Sequence, residues 1–362
     1  MSVSLESGEQ VRVLIVDDSA FMRTALARMI ASEPDLKVVA TAGCAPDALD
    51  KIATLDPDVV TLDVAMPGLD GLGTLRCIMD QFPRPVIMVS AATERDAETT
   101  FAALSSGAFD YVPKQMSAAS LEITHIRADL IAKVRAAAYS RKVHGASPWS
   151  RKQVQSAHGE DLPVSTGAAV VAIGVSTGGP KALEEILPKL PADLPVPVLV
   201  VQHMPAGFTA PFAQRLNHMC SIKVHEAEPH EALRPGVVYI APAGLHMRVV
   251  PRLSDSKPIV SLVPRPDDAL HIPSVDIMMK SVAEVFRNRS VGVIMTGMGS
   301  DGGEGMSAIF RQGGYTIGQD EASCAVYGMP RVCAELGVLS RVVPLSQIPT
   351  QIVHATRRRG RA

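Results

Sequence analysis

The stretch Val11-Arg12-Val13-Leu14-Ile15-Val16-Asp17-Asp18-Ser19-Ala20-Phe21-Met22-Arg23 changes its period halfway along. Val11–Val16 is a run rich in β-branched residues, the pattern of a strand buried on both faces. Phe21/Met22, Ala25/Leu26 and Met29/Ile30 then recur every four residues, the face of an amphipathic helix. A buried strand feeding such a helix is the repeating unit of a parallel sheet covered on both sides. Working outward, further strands are expected at Leu36–Ala42, Asp58–Leu62, Val86–Val89 and Phe109–Val112. The helix that closes this region carries Ile123, Ile126, Leu130 and Val134 at spacings of three and four.

From about Ala136 the periodicity fades, and residues 139–166 read as a linker of Ser, Gly, Pro, His and scattered charge that holds the one tryptophan, Trp149. Alternation resumes at Ala168–Ile173. It continues through a helix at Pro180–Leu190, a strand at Val196–Val201 and a helix near Pro211–Met219. Short strands follow between Val237 and Val263. Then come a helix bearing Val275, Met278, Met279, Val282 and Phe286, a strand at Val291–Met295 and a helix after Asp301. Residues 10–138 and 167–355 are therefore expected to be two α/β domains. A chain of 362 residues suits that number, at roughly 150 per domain. The basic tail Arg357–Arg361 reads as a solvated end.

Composition narrows the function classes. A net charge of −2 provides no basic field to gather nucleic acid or an anionic membrane surface. Five scattered cysteines without a C-x-x-C pair argue against a disulfide framework or a thiolate zinc site, and for a reducing compartment. The polar, acidic start is unlike a signal peptide, and no run approaches the ~18 apolar residues of a spanning helix. A cytoplasmic protein with no membrane insertion is expected.

Asp17 and Asp18 follow the first strand, Asp63 the third, Ser90 the fourth and Lys114 the fifth. Ligands of open α/β sheets bind at the carboxyl ends of the strands, so these five side chains should meet. Three carboxylates suit Mg²⁺ better than zinc, and a nearby ammonium and hydroxyl can balance a phosphoryl group transferred to a carboxylate. Each aspartate alone would pass as a helix cap; five at matched strand ends do not.

The stretches LIVDDSAFMR (14–23), TLDVAMPGLDGLGTL (61–75), VIMVSA (86–91) and FDYVPK (109–114) resemble the receiver domain of two-component response regulators. The resemblance implies a flavodoxin-like five-stranded parallel sheet. It also implies Asp63 as phospho-acceptor, Mg²⁺ held by Asp17, Asp18, Asp63 and the Ala65 carbonyl, and a switch built from Ser90, Tyr111 and Lys114. Ala65 stands where relatives often carry a polar side chain, and Gln115 where they carry proline.

In the second half Gly174-Val175-Ser176-Thr177-Gly178 sits between a strand and a helix opened by Pro180. This G-x-S-x-G turn has two readings: a nucleophile elbow, or a glycine-rich anion cradle at a helix N-terminus. No G-x-x-x-x-G-K-[ST] or G-x-G-x-x-G supports the cradle. A serine nucleophile needs a base and an orienting carboxylate. His203 follows the next strand and Asp301 a later one, giving the chain order Ser…His…Asp, unlike the Ser…Asp…His of α/β-hydrolases. Backbone N–H groups of Thr177 and near Met298 would face an oxyanion. His225, His230, His246 and His271 lack zinc-ligand spacing, and Ser274 or Asp276 read as caps of the helix they precede.

AIGVSTGGPKAL (172–183), VQHMPAGFTAPFAQRL (201–216), GVVYIAPAGLHM (236–247), HIPSVDIMMKSVAE (271–284), IMTGMGSDGGEGM (294–306) and QDEASCAVYGMP (319–330) resemble, joined to a receiver, the chemotaxis response-regulator protein-glutamate methylesterase family. The resemblance implies a doubly wound α/β catalytic domain with Ser176 as nucleophile, His203 as base and Asp301 as orienting carboxylate. It implies hydrolysis of γ-glutamyl methyl esters on the cytoplasmic helices of methylated chemoreceptors, deamidation of receptor glutamines, and a chemotaxis histidine kinase as phosphodonor. Loss of activity at acidic pH is expected, since an imidazolium cannot act as base. A phosphorylation-switched binding module is the rival; a DNA-binding regulator lacks both a helix-turn-helix and a basic surface.

Overall fold

The computed structural model describes residues 10–91, 94–114, 120–144, 167–255, 257–264 and 271–357. The chain divides into two compact units at Lys152/Gln153. Gln115, Trp149 and all but the first residue of the basic tail lie outside the described residues. No described helix is long and apolar enough to cross a membrane.

The first unit alternates β1 (Val11–Val16), α1 (Ala20–Ala31), β2 (Leu36–Ala42), α2 (Ala45–Leu55), β3 (Val59–Asp63), α3 (Gly71–Gln81), β4 (Val86–Ser90), α4 (Glu94–Ser105), β5 (Asp110–Pro113) and α5 (Ser120–His144). Its five strands are parallel in the order β2-β1-β3-β4-β5, the flavodoxin-like arrangement. β3, β4 and β5 are buried along their whole length, which is why they read as mostly apolar runs without alternation. β3 ends on Asp63 itself rather than one residue before it.

α5 differs from expectation by running six residues beyond 138, into the span read as linker. Its last turns are held by polar contacts that hydrophobic periodicity does not report. Arg141 donates from Nη1 to the Pro57 carbonyl (2.6 Å) and from Nη2 to Asp56 Oδ1 (3.0 Å). Ser140 is buried beside it.

The second unit contains β6 (Val170–Val175), α6 (Gly179–Ile186), β7 (Val198–Gln202), α7 (Thr209–Met219), β8 (Lys223–Glu226), β9 (Val237–Ile240), β10 (His246–Pro251), β11 (Pro258–Val263), α8 (Val275–Phe286), β12 (Ser290–Ile294), α9 (Gly303–Arg311), β13 (Tyr315–Gln319), α10 (Met329–Glu335), β14 (Arg341–Val343) and α11 (Ile348–Thr356). Seven strands form one parallel sheet, β14-β13-β12-β6-β7-β9-β8, while β10 and β11 pair as an antiparallel ribbon. Aromatics are only 4% of the chain, and methionine fills much of the space they would occupy. Met278, Met279 and Val282 of α8 and Met306 of α9 pack with Val170, Ala172 and Leu199 of the sheet. The helix expected over Pro180–Leu190 ends at Ile186 and tightens into a 3₁₀ turn, Leu187–Lys189, that contains Pro188.

Strand order reverses at one place in each sheet. From β1 the chain steps to β2 on one side, and β3 returns to the other side of β1. From β6 it runs outward through β7 and β9, and β12 returns to the opposite flank of β6. At such a reversal the connections leave in opposite directions and open a crevice at the strands' carboxyl ends. Asp17, Asp18 and Asp63 lie at the first crevice, and Ser176 and His203 at the second.

Candidate functional site

In the first unit, Asp17 and Asp18 leave β1 and Asp63 ends β3. One ligand oxygen from each lies within 4.8 Å of the others. Lys114, just past β5, places Nζ 2.7 Å from Asp63 Oδ1 and 3.0 Å from Asp17 Oδ2. Burial pushes the Asp63 carboxyl above its ordinary range even though Lys114 draws it down. Burial works to lower Lys114, but its bonds to Asp63 and Asp17 outweigh that and hold it charged. Asp63 Oδ2 is buried with no hydrogen-bond partner, so an oxygen-seeking cation would find an uncommitted ligand there. Ala65 donates its N–H to Asp63 Oδ1 (3.1 Å).

Ser90 does not join this cluster through its hydroxyl. Its Oγ accepts from Thr100 Oγ1 of α4 (2.9 Å) and donates to the Ala91 carbonyl (3.2 Å). Tyr111 is packed inward at 2% exposure, with Lys133 Nζ 5.2 Å from its ring centroid and 2.6 Å from its carbonyl oxygen.

In the second unit β6 ends at Val175, so Ser176 is the first residue beyond the sheet. Its N–H still bonds the Thr296 carbonyl (3.0 Å), which ties the elbow to the loop after β12. The chain then turns sharply. Gly178 takes φ +74°, and a Cβ there would stand 2.5 Å from Ala325 Cβ, so only glycine fits. The Gly179 N–H closes the turn on the Ser176 carbonyl (2.7 Å), and Pro180 opens α6 where a missing N–H is harmless.

Val175 pairs with Gln202 in the β6–β7 ladder, so Ser176 and His203 occupy the next rung. The His203 N–H bonds the Val175 carbonyl (3.2 Å). Its Nε2 lies 2.8 Å from Asp301 Oδ2, while Nδ1 is buried with no hydrogen-bond partner. An ionised carboxylate on Nε2 selects the tautomer protonated there and leaves the lone pair on Nδ1. Serine-protease triads use the two ring nitrogens the other way round.

Asp301 reaches this position by capping a neighbouring helix. Its carboxylate accepts the N–H groups of Val275 (2.7 Å) and Asp276 (2.9 Å) and the Ser274 hydroxyl (2.9 Å), all at the start of α8. Burial pushes the Asp301 carboxyl up, but the His203 bond and charge, together with those N–H donors, outweigh it. The group is held well below the usual carboxylate range.

Ser274 caps α8 as expected, its Oγ accepting from the Ile277 N–H (3.3 Å). Asp276 caps α9 instead, its Oδ1 accepting from Gly302 (2.9 Å) and Gly305 (2.7 Å). His271 lies just before the helix that Ser274 caps. Its ring stacks on His203 with centroids 4.3 Å apart and planes 14° from parallel. Thr177 is buried and Met298 half-buried on the two loops that flank Ser176.

Residues 171–352 match the family model for CheB methylesterase, and residues 13–125 that for the response regulator receiver domain. The chain is 44% identical to protein-glutamate methylesterase/protein-glutamine glutaminase 2 of Nitratidesulfovibrio vulgaris, over 95% of this chain and 99% of that one. It is 45% identical to the protein-glutamate methylesterase/protein-glutamine glutaminase of Halalkalibacterium halodurans, over 96% and 99%. The solved CheB methylesterase catalytic domain of Thermotoga maritima aligns with a TM-score of 0.50 at 38% identity, covering 52% of this chain and 98% of that domain.

Proposed function

Because the chain belongs to the CheB methylesterase family and carries a receiver domain ahead of the catalytic domain, we propose that it is a phosphorylation-activated hydrolase. Its substrates are γ-glutamyl methyl esters of chemoreceptors and certain receptor glutamines, and its activity serves chemotactic adaptation. The observation that carries the mechanism is the His203 ring, bonded through Nε2 to Asp301 with Nδ1 uncommitted on the rung shared with Ser176.

Ser176 Oγ attacks the ester carbonyl carbon while His203 Nδ1 takes the hydroxyl proton, and Asp301 balances the imidazolium. The Ser176 N–H is already spent on Thr296. The oxyanion therefore falls to the N–H groups of Thr177 and Met298, which donate to no protein group among the described residues. The tetrahedral intermediate collapses, the ester C–O bond breaks, and His203 protonates the departing methanol. Water then attacks the acyl-serine, again giving its proton to Nδ1, and releases glutamate and free Ser176. With a glutamine substrate the leaving group is ammonia.

Receiver domains take their phosphoryl group with Mg²⁺. Here Asp17, Asp18 and Asp63 would hold the ion, which neutralises charge on the phosphoryl oxygens. Asp63 is the acceptor, with a chemotaxis histidine kinase as donor. Lys114 supplies a fixed cation, and Ser90 and Tyr111 rearrange to report the phosphoryl group. Phosphorylation of Asp63 shifts the population from a less active form of the enzyme to a more active one. The protein acts in the cytoplasm, where receptor helices and kinase are both exposed.

Methanol release from methylated receptor fragments, with and without a small-molecule phosphodonor, tests this reading. Release that rises with the donor in the native chain but not in Asp63→Asn supports it. No release in either state contradicts it and favours a phosphorylation-switched binding module.

A further inference from the structure

Gln202 is the last residue of β7, 2% exposed, with its amide turned across the end of the sheet. Nε2 lies 3.0 Å from the Ser176 carbonyl oxygen and 3.0 Å from the His203 carbonyl oxygen. Both neighbours are acceptors, so the nitrogen's identity follows from the network, and each of its two hydrogens is used. The Val175–Gln202 pair is the final rung of the β6–β7 ladder. Beyond it this amide cross-links the backbones of the two residues proposed as nucleophile and base.

The other half of the amide is left without a hydrogen bond. Oε1 is buried and unpartnered. It lies against Gly179, where an added Cβ would come within 1.9 Å of it. A buried acceptor without a donor destabilises the fold, and an apolar side chain of the same length would avoid that loss. The same contact gives Gly179 a reason to lack a side chain.

We propose that Gln202 is a positioning residue that sets the separation of Ser176 and His203 by bonding both of their carbonyls, and that Gly179 exists to admit its amide. The inference rests on the triad reading given above. Gln202 touches neither substrate nor reacting atoms. Its donors hold the elbow and the base at one spacing, so their loss misplaces Oγ relative to Nδ1.

The test uses the full-length protein with phosphodonor present, and reads kcat, KM and Tm for methanol release from methylated receptor fragments. Gln202→Met keeps length and packing but has no donors. It should lower kcat about 10- to 100-fold with KM within about twofold, because misplacement of reacting groups by about 1 Å costs that much. Its Tm should stay near that of the native protein, because the two lost bonds are offset by removal of the unpartnered Oε1 and the Ser176 carbonyl keeps the Gly179 N–H. Gly179→Ala reaches the same site from the other side and should lower kcat by a similar factor.

A Gln202→Met enzyme with kcat within threefold of native overturns the proposal. So does a kcat loss matched by a fall in Tm, which marks a purely structural residue. Ser176→Ala run alongside separates the two claims: if that variant keeps full activity, the triad reading fails independently of what Gln202 does.

Discussion

Asp301 and Asp276 cap each other's helices. The Asp301 carboxylate accepts the Asp276 N–H at the start of α8, and the Asp276 carboxylate accepts the N–H groups of Gly302 and Gly305 at the start of α9. Each anion sits against the positive end of the helix its partner begins. The exchange locks α8 to α9 and presents Asp301 to His203 in one orientation. It also buries two carboxylates close together, and their environments push them in opposite directions.

Burial, reinforced by the charge of Asp301 and only partly offset by the Gly305 N–H, pushes Asp276 up to about 6. The folded protein therefore disfavours the charged form. The contribution of Asp276 to stability is fully present below the ordinary carboxylate range and is lost as pH rises through about 6. Asp276→Asn keeps the acceptor oxygen and removes the charge, so its Tm should exceed that of the native protein by about 2–4 °C at pH 8. The difference should vanish near pH 4. A Tm difference that stays constant across this range contradicts the assignment.

Asp301 behaves in the opposite sense. Its carboxyl is held below the ordinary range, so its contribution to stability is present at neutral pH and lost as pH falls below the carboxylate range. Asp301→Asn should preserve the fold yet leave His203 without its counter-charge and with its tautomer no longer selected. A loss of about 10³- to 10⁴-fold in kcat is expected, by analogy with the same change in serine proteases. Native-like turnover by this variant would remove the carboxylate from the mechanism.

In the receiver, Lys114 is the cation between Asp17 and Asp63, both buried. Lys114→Met leaves two carboxylates there without it, a change that costs about 3–5 kcal/mol when a buried pair is broken. Thermal unfolding of the receiver should occur at a lower temperature in the variant at pH 8, and Mg²⁺ should restore much of the loss. A variant as stable as native without Mg²⁺ would show that the ammonium does not offset the buried charge.

What could be read in advance follows from how each feature is held. The strands flanking the two crevices are buried on both faces, so they appear as apolar runs, and the residues just beyond them could be named. β8 escaped notice because only Val224 of Lys223–Glu226 is buried, leaving no alternation to see. The end of α5 escaped because Arg141 binds it through Asp56 and the Pro57 carbonyl, a polar contact between segments distant in sequence. At the proposed catalytic site the positions of Ser176, His203 and Asp301 in the loops after three strands are legible in the sequence. The groups that orient them are not. Gln202 and Thr296 bond backbone across a fold that must first exist, and nothing local distinguishes them from other polar residues, while Asp276, legible as a cap, caps α9 and not the helix it precedes.

In the proposed mechanism His203, held by Asp301, activates Ser176. A fluorophosphonate probe added to the full-length protein with phosphodonor present reads that activation directly, because the probe reacts only with an activated serine. The account predicts one labelled site, abolished in Ser176→Ala and slowed at least about 100-fold in His203→Ala. Labelling at native rate in either variant would contradict it.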